Sequence, residues 1–145
     1  MAGMREQFKM SESCEQSGVI FDYGGFRVRM ARAGGSNKRY QKAMERETRP
    51  LKRAIQAEAL PEGQANELVR RVFAEAIILD WEVRQEDGTY TQGIEGPDGD
   101  VIPFTKENVI ATLEELPELF DELQSAAAKA SNYREAVLEA DAKNS

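Results

Sequence analysis

The chain has 145 residues, of which 41% are hydrophobic and 31% charged, and a formal net charge of −7; these values fit one globular domain and not a disordered chain. A single cysteine, Cys14, and no histidine exclude an intrachain disulfide framework and remove the commonest general base and metal ligand. No stretch approaches the ~20 apolar residues of a membrane span, and the N-terminus lacks the apolar region of a secretion signal, so we expect a protein that stays in the cytoplasm where it is made.

The N-terminal part is predicted to form a flexible arm followed by a β-hairpin. Residues 1–18 are polar and show little periodicity, which indicates an arm. In residues 26–30 apolar side chains alternate with arginines, the pattern of a half-buried strand, and residues 19–21 offer it a partner. The glycine pair at 24–25 favours a tight hairpin turn between the two strands.

The middle of the chain is predicted to be helical. Ser36 or Asn37 suits the N-cap of a helix that Pro50 should kink and that residues 60–63 should end. Residues 64–80 carry a wide apolar stripe that ends in the most hydrophobic run of the chain. This stripe predicts the central helix of the core.

The C-terminal part is predicted to hold turns and then helices. Residues 82–104 contain repeated glycines and predict one small hairpin or irregular loops. Thr105 suits an N-cap, and Pro117 suits the first turn of the next helix. A last short helix is expected at 132–138, and the tail at 141–145 is expected to be frayed.

The predicted fold is therefore mainly α with a small N-terminal β-hairpin (α+β). It is one compact helical domain of about five helices over residues 19–140, between the arm and the tail. Charge is divided unevenly along it, with +5 in residues 1–60 and −12 in residues 61–145. Such a division suggests charge-guided contact with a partner or with another copy of the chain.

A basic stretch needs its own explanation. Ten basic residues lie between Arg27 and Arg53 and are opposed only by Glu45 and Glu47. A basic helix can meet phosphates, but this chain is acidic as a whole and Tyr40 is the one aromatic near the helix's cations. A protein partner, or the acidic half of the same chain, is favoured. The predicted electrostatic contacts are Lys38, Arg39, Lys42 and Arg46.

No motif predicts catalysis, a cofactor or a metal site. Carboxylates are numerous, but none is paired as acid and base in an apolar setting. A glycine-rich phosphate loop with its lysine is absent, and Glu95, Asp98 and Asp100 lack the spacing of an EF-hand. We therefore expect a protein that is not an enzyme and needs no cofactor.

Two sequence elements resemble those of siphophage tail assembly chaperones. The first, RAGGSNKRY at residues 32–40, is similar to the family's Gly, Asn, two residues, Tyr element, which starts the first long helix. The second joins LDWEV at residues 79–83 to DGDVIPFTKEN at residues 98–108. The resemblance covers residues 19–138, and residues 86–97 are longer and richer in glycine than the family's compact link.

This resemblance implies a function in tail morphogenesis. Members bind the tape measure protein, a long helical chain prone to aggregation, and keep it soluble until tube subunits polymerise around it. They are typically absent from the mature virion, and a longer form made by frameshifting recruits the major tail protein. An amphipathic client helix would need an apolar groove, although residues of such a groove would equally suit an ordinary core. The candidate protein-binding residues are Phe73, Ile77, Trp81, Leu116, Leu119, Phe120 and Leu123.

Other functions stay open at this point. A structural neck or tail component would be retained in purified virions. A small nucleic-acid-binding regulator would use residues 27–53, and its binding would weaken steeply with salt. Self-association of the chain is expected with the first function, because a long client needs many copies.

Overall fold

The computed structural model describes residues 3–144, and the side chains of residues 3–140. In this part of the chain, seven α-helices and six strands follow one another, with a 3₁₀ turn before α3 and a π-helical turn after α4. Their bounds are α1 Met4–Ser17, β1 Val19–Asp22, β2 Phe26–Met30, α2 Lys38–Thr48, the 3₁₀ turn Arg49–Leu51, α3 Lys52–Gln56, α4 Glu62–Val72, the π turn Phe73–Ile77, β3 Ile78–Arg84, β4 Tyr90–Gln92, β5 Ile94–Glu95, β6 Val101–Ile102, α5 Lys106–Glu115, α6 Pro117–Ala128 and α7 Ala130–Asn144.

A four-stranded antiparallel sheet in the order β1-β2-β3-β4 forms the base of the fold. The predicted hairpin is confirmed as β1 and β2, which pair Asp22 with Arg27. Gly24 closes its turn with φ 90°, a conformation that glycine adopts without strain. The strands β5 and β6 form a separate two-stranded ladder. The protein is therefore α+β, as expected, with more sheet and more helices than predicted.

The prediction of one helix over residues 64–80 is wrong from Ile78 onward, and the last helical residues, Phe73–Ile77, are π-helical. The chain leaves α4 through the π turn and continues as β3, which pairs with β2 in the middle of the sheet. Trp81 is buried against Val28, whereas Glu82 lies on the other face and forms an ion pair with Arg27 (2.8 Å). This alternation has the period of a strand, but the preceding apolar run conceals it.

The prediction of a flexible arm is wrong for residues 4–17, which form α1 and pack against α7. The buried positions of α1 are Ser11 and Glu15, both polar, so the helix shows no apolar period in the sequence. Residues 1–2 lie outside the described residues. At the other end α7 is longer than predicted, and its backbone is helical up to Asn144; of the tail expected to fray, Ser145 lies outside the described part.

The predicted helix boundaries are largely confirmed. Asn37 caps α2 by accepting a hydrogen bond from the backbone N–H of Tyr40 (3.4 Å). Thr105 caps α5 in the same way, and Pro117 occupies the first turn of α6. Pro50 lies in the 3₁₀ turn that separates α2 from α3. Local capping rules therefore place the helices correctly wherever a cap residue is present.

Candidate protein-binding surfaces

Most of the apolar residues predicted to bind a partner lie in the core. Leu116 is 47% exposed and Leu119 is half-buried, so these two reach the surface. The other five are between 0% and 4% exposed: Phe73, Ile77, Trp81, Phe120 and Leu123. A partner could contact these five only after the domain had opened.

Aromatic contacts explain why those residues are core. The Trp81 ring stacks on Phe26 with the ring centroids 5.8 Å apart, and Phe73 meets Phe120 edge to face at 5.6 Å. Such pairs add about 0.5–1.5 kcal/mol to the free energy gained by burial alone. The first pair joins β2 to β3 and the second joins the π turn to α6, so these rings are used within the fold.

One shallow groove does reach the surface beside Trp81. It has a volume of about 90 Å³, and one wall includes Leu116 and Leu119 at the α5–α6 junction. Strand residues Phe26 and Val83 form the wall opposite. We call it the Leu116 groove. It is the only part of the predicted binding site that the described residues leave accessible.

A second apolar surface lies between α1 and α7, and sequence reasoning missed it. A cavity of about 80 Å³ is lined by Gln7, Phe8, Arg134, Val137 and Leu138. Phe8 is 54% exposed and Leu138 is 52% exposed, and Met4 continues the same face one turn away at 69%. We call this surface the α1–α7 cleft. Its one sequence signal is the spacing of Met4 and Phe8, which is too short a pattern to predict a helix.

Helix α1 is anchored by a polar contact. Glu15 is 6% exposed, forms an ion pair with Arg32, and accepts a hydrogen bond from the hydroxyl of Ser36 (2.9 Å). Burial raises the pKa of the Glu15 carboxyl. The hydrogen bonds from Arg32 and Ser36, together with the charge of Arg32, lower this pKa by more than burial raises it, so it lies below its ordinary value. Because the inner face of α1 is polar, its large apolar side chains remain outside.

The motif at residues 32–40 has a structural explanation. Gly35 has φ 54°, and a Cβ there would lie 2.7 Å from Oε2 of Glu15, so a side chain would disturb the anchor. Asn37 is 2% exposed, and its amide donates to the carbonyls of Arg32 (2.9 Å) and Ala76 (3.3 Å). These residues fasten the start of α2 to the π turn and to α1. The side chain of Asn37 is therefore used within the fold.

The basic stretch is partly neutralised by the chain's own carboxylates. Within the described residues, four of its arginines form ion pairs. These pairs are Arg27–Glu82, Arg32–Glu15, Arg46–Glu75 and Arg49–Glu45. The hydrogen bond from Arg46, with the nearby charges of Lys106 and Arg39, holds the pKa of Glu75 below its ordinary value despite partial burial.

The remaining cations form an exposed row on α2 and α3. Of the predicted electrostatic contacts, Arg46 is paired with Glu75 and Arg39 donates to the carbonyl of that same residue (3.0 Å). On these two helices, the exposed cations that form neither an ion pair nor a side-chain hydrogen bond within the described residues are Lys38, Lys42, Lys52 and Arg53. We call these four the basic stripe.

Two further searches of the described residues bear on function. Residues 3–140, whose side chains the structure describes, contain no group of three or more Cys, Asp or Glu placed to hold a metal ion. Among the helices in the same range, none is both long enough and apolar enough to cross a membrane.

Comparison with known proteins identifies the family. The family described as YdaY prophage protein matches residues 35–144, which is most of the chain, so the chain belongs to this family and is of phage origin. The matched region begins at the Gly35 turn and excludes α1 and the β1–β2 hairpin. No curated protein and no solved structure matches the chain.

Proposed function

We propose that this member of the YdaY prophage protein family is a tail assembly chaperone, which binds and solubilises the tape measure protein during tail morphogenesis. The observation that carries the proposal is the α1–α7 cleft, where large apolar side chains lie open on a polar helix pair. The phage origin of the family and the resemblance at residues 32–40 and 98–108 support it. In this account the protein acts in the host cytoplasm and is absent from the mature virion.

The cleft offers an apolar surface to a client helix. Phe8 lies beside Leu138 while Glu15 lies near Ala130, so α1 and α7 run antiparallel, and the cleft forms a short furrow at the Phe8 end of this pair. An amphipathic helix can place its apolar face in such a furrow. The tape measure protein is long and helical, so it would offer many such faces.

Each contact of this kind is weak by itself. Burying a large apolar side chain fully stabilises a complex by about 1.5–3 kcal/mol, and Phe8 and Leu138 are already half-buried in the free protein. Each would therefore contribute about 1 kcal/mol. Weak contacts suit a chaperone that must leave when tube subunits arrive, provided that many copies act on one client.

Nucleic-acid binding by residues 27–53 has less support. Arg27, Arg32, Arg46 and Arg49 form ion pairs with carboxylates of the same chain, so four of the ten cations of this stretch are partly neutralised. A structural role in the neck or tail is the other alternative. Mass spectrometry of mature virions separates it from the chaperone, because a stoichiometric signal would favour the structural role.

Co-expression with the tape measure protein of the same phage tests the proposal. We expect the wild-type chain to move the client from the pellet to the soluble fraction, and the double variant Phe8→Ser with Leu138→Ser to leave it in the pellet. Ile20→Ser is the matched control, because Ile20 is also 54% exposed but lies on β1, away from the cleft.

The two possible failures have different meanings. If the client stays insoluble with the wild-type chain, the chaperone function is wrong. If the double variant solubilises the client as well as the wild type, the function stands and the cleft is not its binding site.

A further inference from the structure

We propose that copies of this chain associate head to tail, with the basic stripe of one copy on an acidic corner of the next. The acidic corner is the junction of α5 and α6. It consists of Glu114, Glu115, Glu118, Asp121 and Glu122, all exposed. The inference concerns the free chain and does not rest on the proposed chaperone function.

The two surfaces are complementary in charge and unpaired within one copy. Across the described residues, no lysine or arginine nitrogen lies within 4.0 Å of a carboxylate of the acidic corner. In the same residues, no carboxylate lies within 4.0 Å of a cation of the basic stripe. Other charges of the fold, such as Arg46 and Glu75, do find partners. The basic stripe and the acidic corner are thus two clusters of opposite sign that stand exposed without an ion pair among the described residues.

Part of each cluster opposes the helix end on which it lies, whereas Glu118 of the acidic corner occupies the first turn of α6, where a negative charge is favoured. Lys38 and Arg39 occupy the first turn of α2, which contains no acidic residue, although a helix N-terminus already carries partial positive charge. Glu114 and Glu115 occupy the last turn of α5, which contains no basic residue, although that end carries partial negative charge. These placements disfavour the isolated copy and strengthen the outward field at each surface. A contact between the two surfaces would relieve both.

The arrangement of the helices keeps the clusters apart within one copy. Helix α4 packs against both α2 and α5, which have few contacts with each other. Lys106 at the start of α5 lies 3.9 Å from Glu75, so the basic side of the fold meets α5 at its first turn. The acidic corner is at the opposite end of α5, about 14 Å along the helix axis at the ordinary rise per residue.

Two different surfaces joined in this way make a heterologous contact. Such a contact leaves one free basic stripe and one free acidic corner at the two ends, so further copies can add. Each surface also holds an exposed apolar side chain, Ile55 (41%) beside Lys52 and Leu116 (47%) at the corner. These would form the nonpolar centre that protein interfaces have within a polar rim.

Charge-reversal variants with complementation test the inference. The stripe variant carries Lys38→Glu, Lys42→Glu and Lys52→Glu. The corner variant carries Glu115→Lys, Glu118→Lys and Asp121→Lys. The control carries Arg5→Glu, Lys9→Glu and Arg84→Glu, which change the net charge as much as the stripe variant does at exposed positions elsewhere.

Light scattering of the purified proteins gives the readout. For the wild type and the control at low salt, we expect a mass that rises with concentration to several times that of one copy, and a return to monomer at about 0.5 M salt, where charges are screened. Each reversed variant should remain monomeric alone. An equimolar mixture of the two should recover the wild-type mass, because one offers only acidic and the other only basic surfaces.

Several results would overturn the inference. One is a wild-type chain that stays monomeric at low salt at about 100 μM, where contacts of micromolar affinity are occupied. Another is a mixture that does not recover the mass while both variants keep the wild-type circular dichroism spectrum. Association that appears only with added DNA or RNA, and disappears with nuclease, would assign the basic stripe to nucleic acid instead.

Discussion

Residues 73–81 and helix α1 differ both in how apolar their sequences are and in how exposed their large apolar side chains are. Residues 73–81 include the most apolar run of the chain, and Phe73, Ile77 and Trp81 are buried in its core. Helix α1 is polar in sequence, yet Met4 and Phe8 are among the most exposed large apolar side chains in the described part. A dense apolar run thus indicates burial, whereas a binding surface can consist of a few apolar residues on a polar helix.

The difference arises from what holds each region in place. The π turn and β3 are held by apolar packing, so their apolar side chains are used within the fold. Helix α1 is held by the ion pair of Glu15 with Arg32 and by Ser36, so its apolar side chains are available to a partner. Substitutions in the two regions should therefore separate stability from binding.

The largest effect is expected at Trp81. Trp81→Ala removes a buried ring that stacks on Phe26, and should lower the free energy of unfolding by about 3–5 kcal/mol. Denaturant unfolding measures this loss. Circular dichroism is the signal to follow, because the variant lacks the chain's single tryptophan and therefore has no tryptophan fluorescence. A loss below about 1 kcal/mol would mean that Trp81 is not a core residue and would remove one side of the comparison.

The next effect is expected at the anchor of α1. Glu15→Gln removes a charged partner of Arg32 in a largely buried site, and should cost about 2 kcal/mol in unfolding free energy. Glu12→Gln on the same helix is the control, because Glu12 is exposed and its side chain forms no ion pair within the described residues. Equal stability of the two variants would contradict the anchor.

The same pair predicts a dependence on pH. Since the folded pKa of Glu15 lies below its ordinary value of 4.5, the stabilisation is fully present above that pH and is lost as pH falls through the folded pKa. The difference in stability between wild type and Glu15→Gln should therefore be constant near neutral pH and shrink below about pH 4.5. A difference that grows on acidification would have the wrong sign for this account.

A smaller effect is expected where α7 meets the sheet. The buried hydroxyl of Tyr133 donates to the carbonyl of Met30 at 3.2 Å, and burial raises the pKa of Tyr133 well above that of free tyrosine. Tyr133→Phe leaves this carbonyl without its partner and should cost about 1 kcal/mol. Thermal unfolding of Tyr133→Phe beside Tyr90→Phe, whose hydroxyl bonds at the surface, checks the value. No difference between them would mean that the buried bond adds nothing.

The smallest effect on stability is expected at Phe8. Phe8→Ser changes a half-exposed side chain, so the free energy of unfolding should fall by no more than about 1 kcal/mol. The same variant should weaken the solubilisation of the tape measure protein. A large loss of stability would show that Phe8 belongs to the core and would erase the contrast with residues 73–81.

Local rules predicted much of this fold from the sequence. The hairpin was predictable because the strand alternation and the glycine pair at 24–25 both indicate two strands joined by a tight turn. The starts of α2 and α5 were predictable because Asn37 and Thr105 are good N-cap residues. Strand β3 was not predictable as such, because its apolar run fits helix and strand alike until tertiary pairing with β2 decides.

The binding surfaces were harder to predict than the elements. Exposure of Phe8 and Leu138 depends on the packing of α1 on α7, two helices at opposite ends of the chain. The contact that brings α1 to the body is Glu15 with Arg32, and a single pair of opposite charges carries no recognisable sequence pattern. Of the predicted apolar site, Leu116 and Leu119 remain accessible, because they lie at the junction between two helices.

Amide hydrogen exchange of the chain with and without the tape measure protein tests the central claim most directly. The account predicts new protection in α1 and α7, where the client helix would lie, and unchanged exchange in residues 73–84, which are already packed. New protection confined to residues 73–84, with α1 and α7 unaffected, would show that the apolar run is the binding site after all.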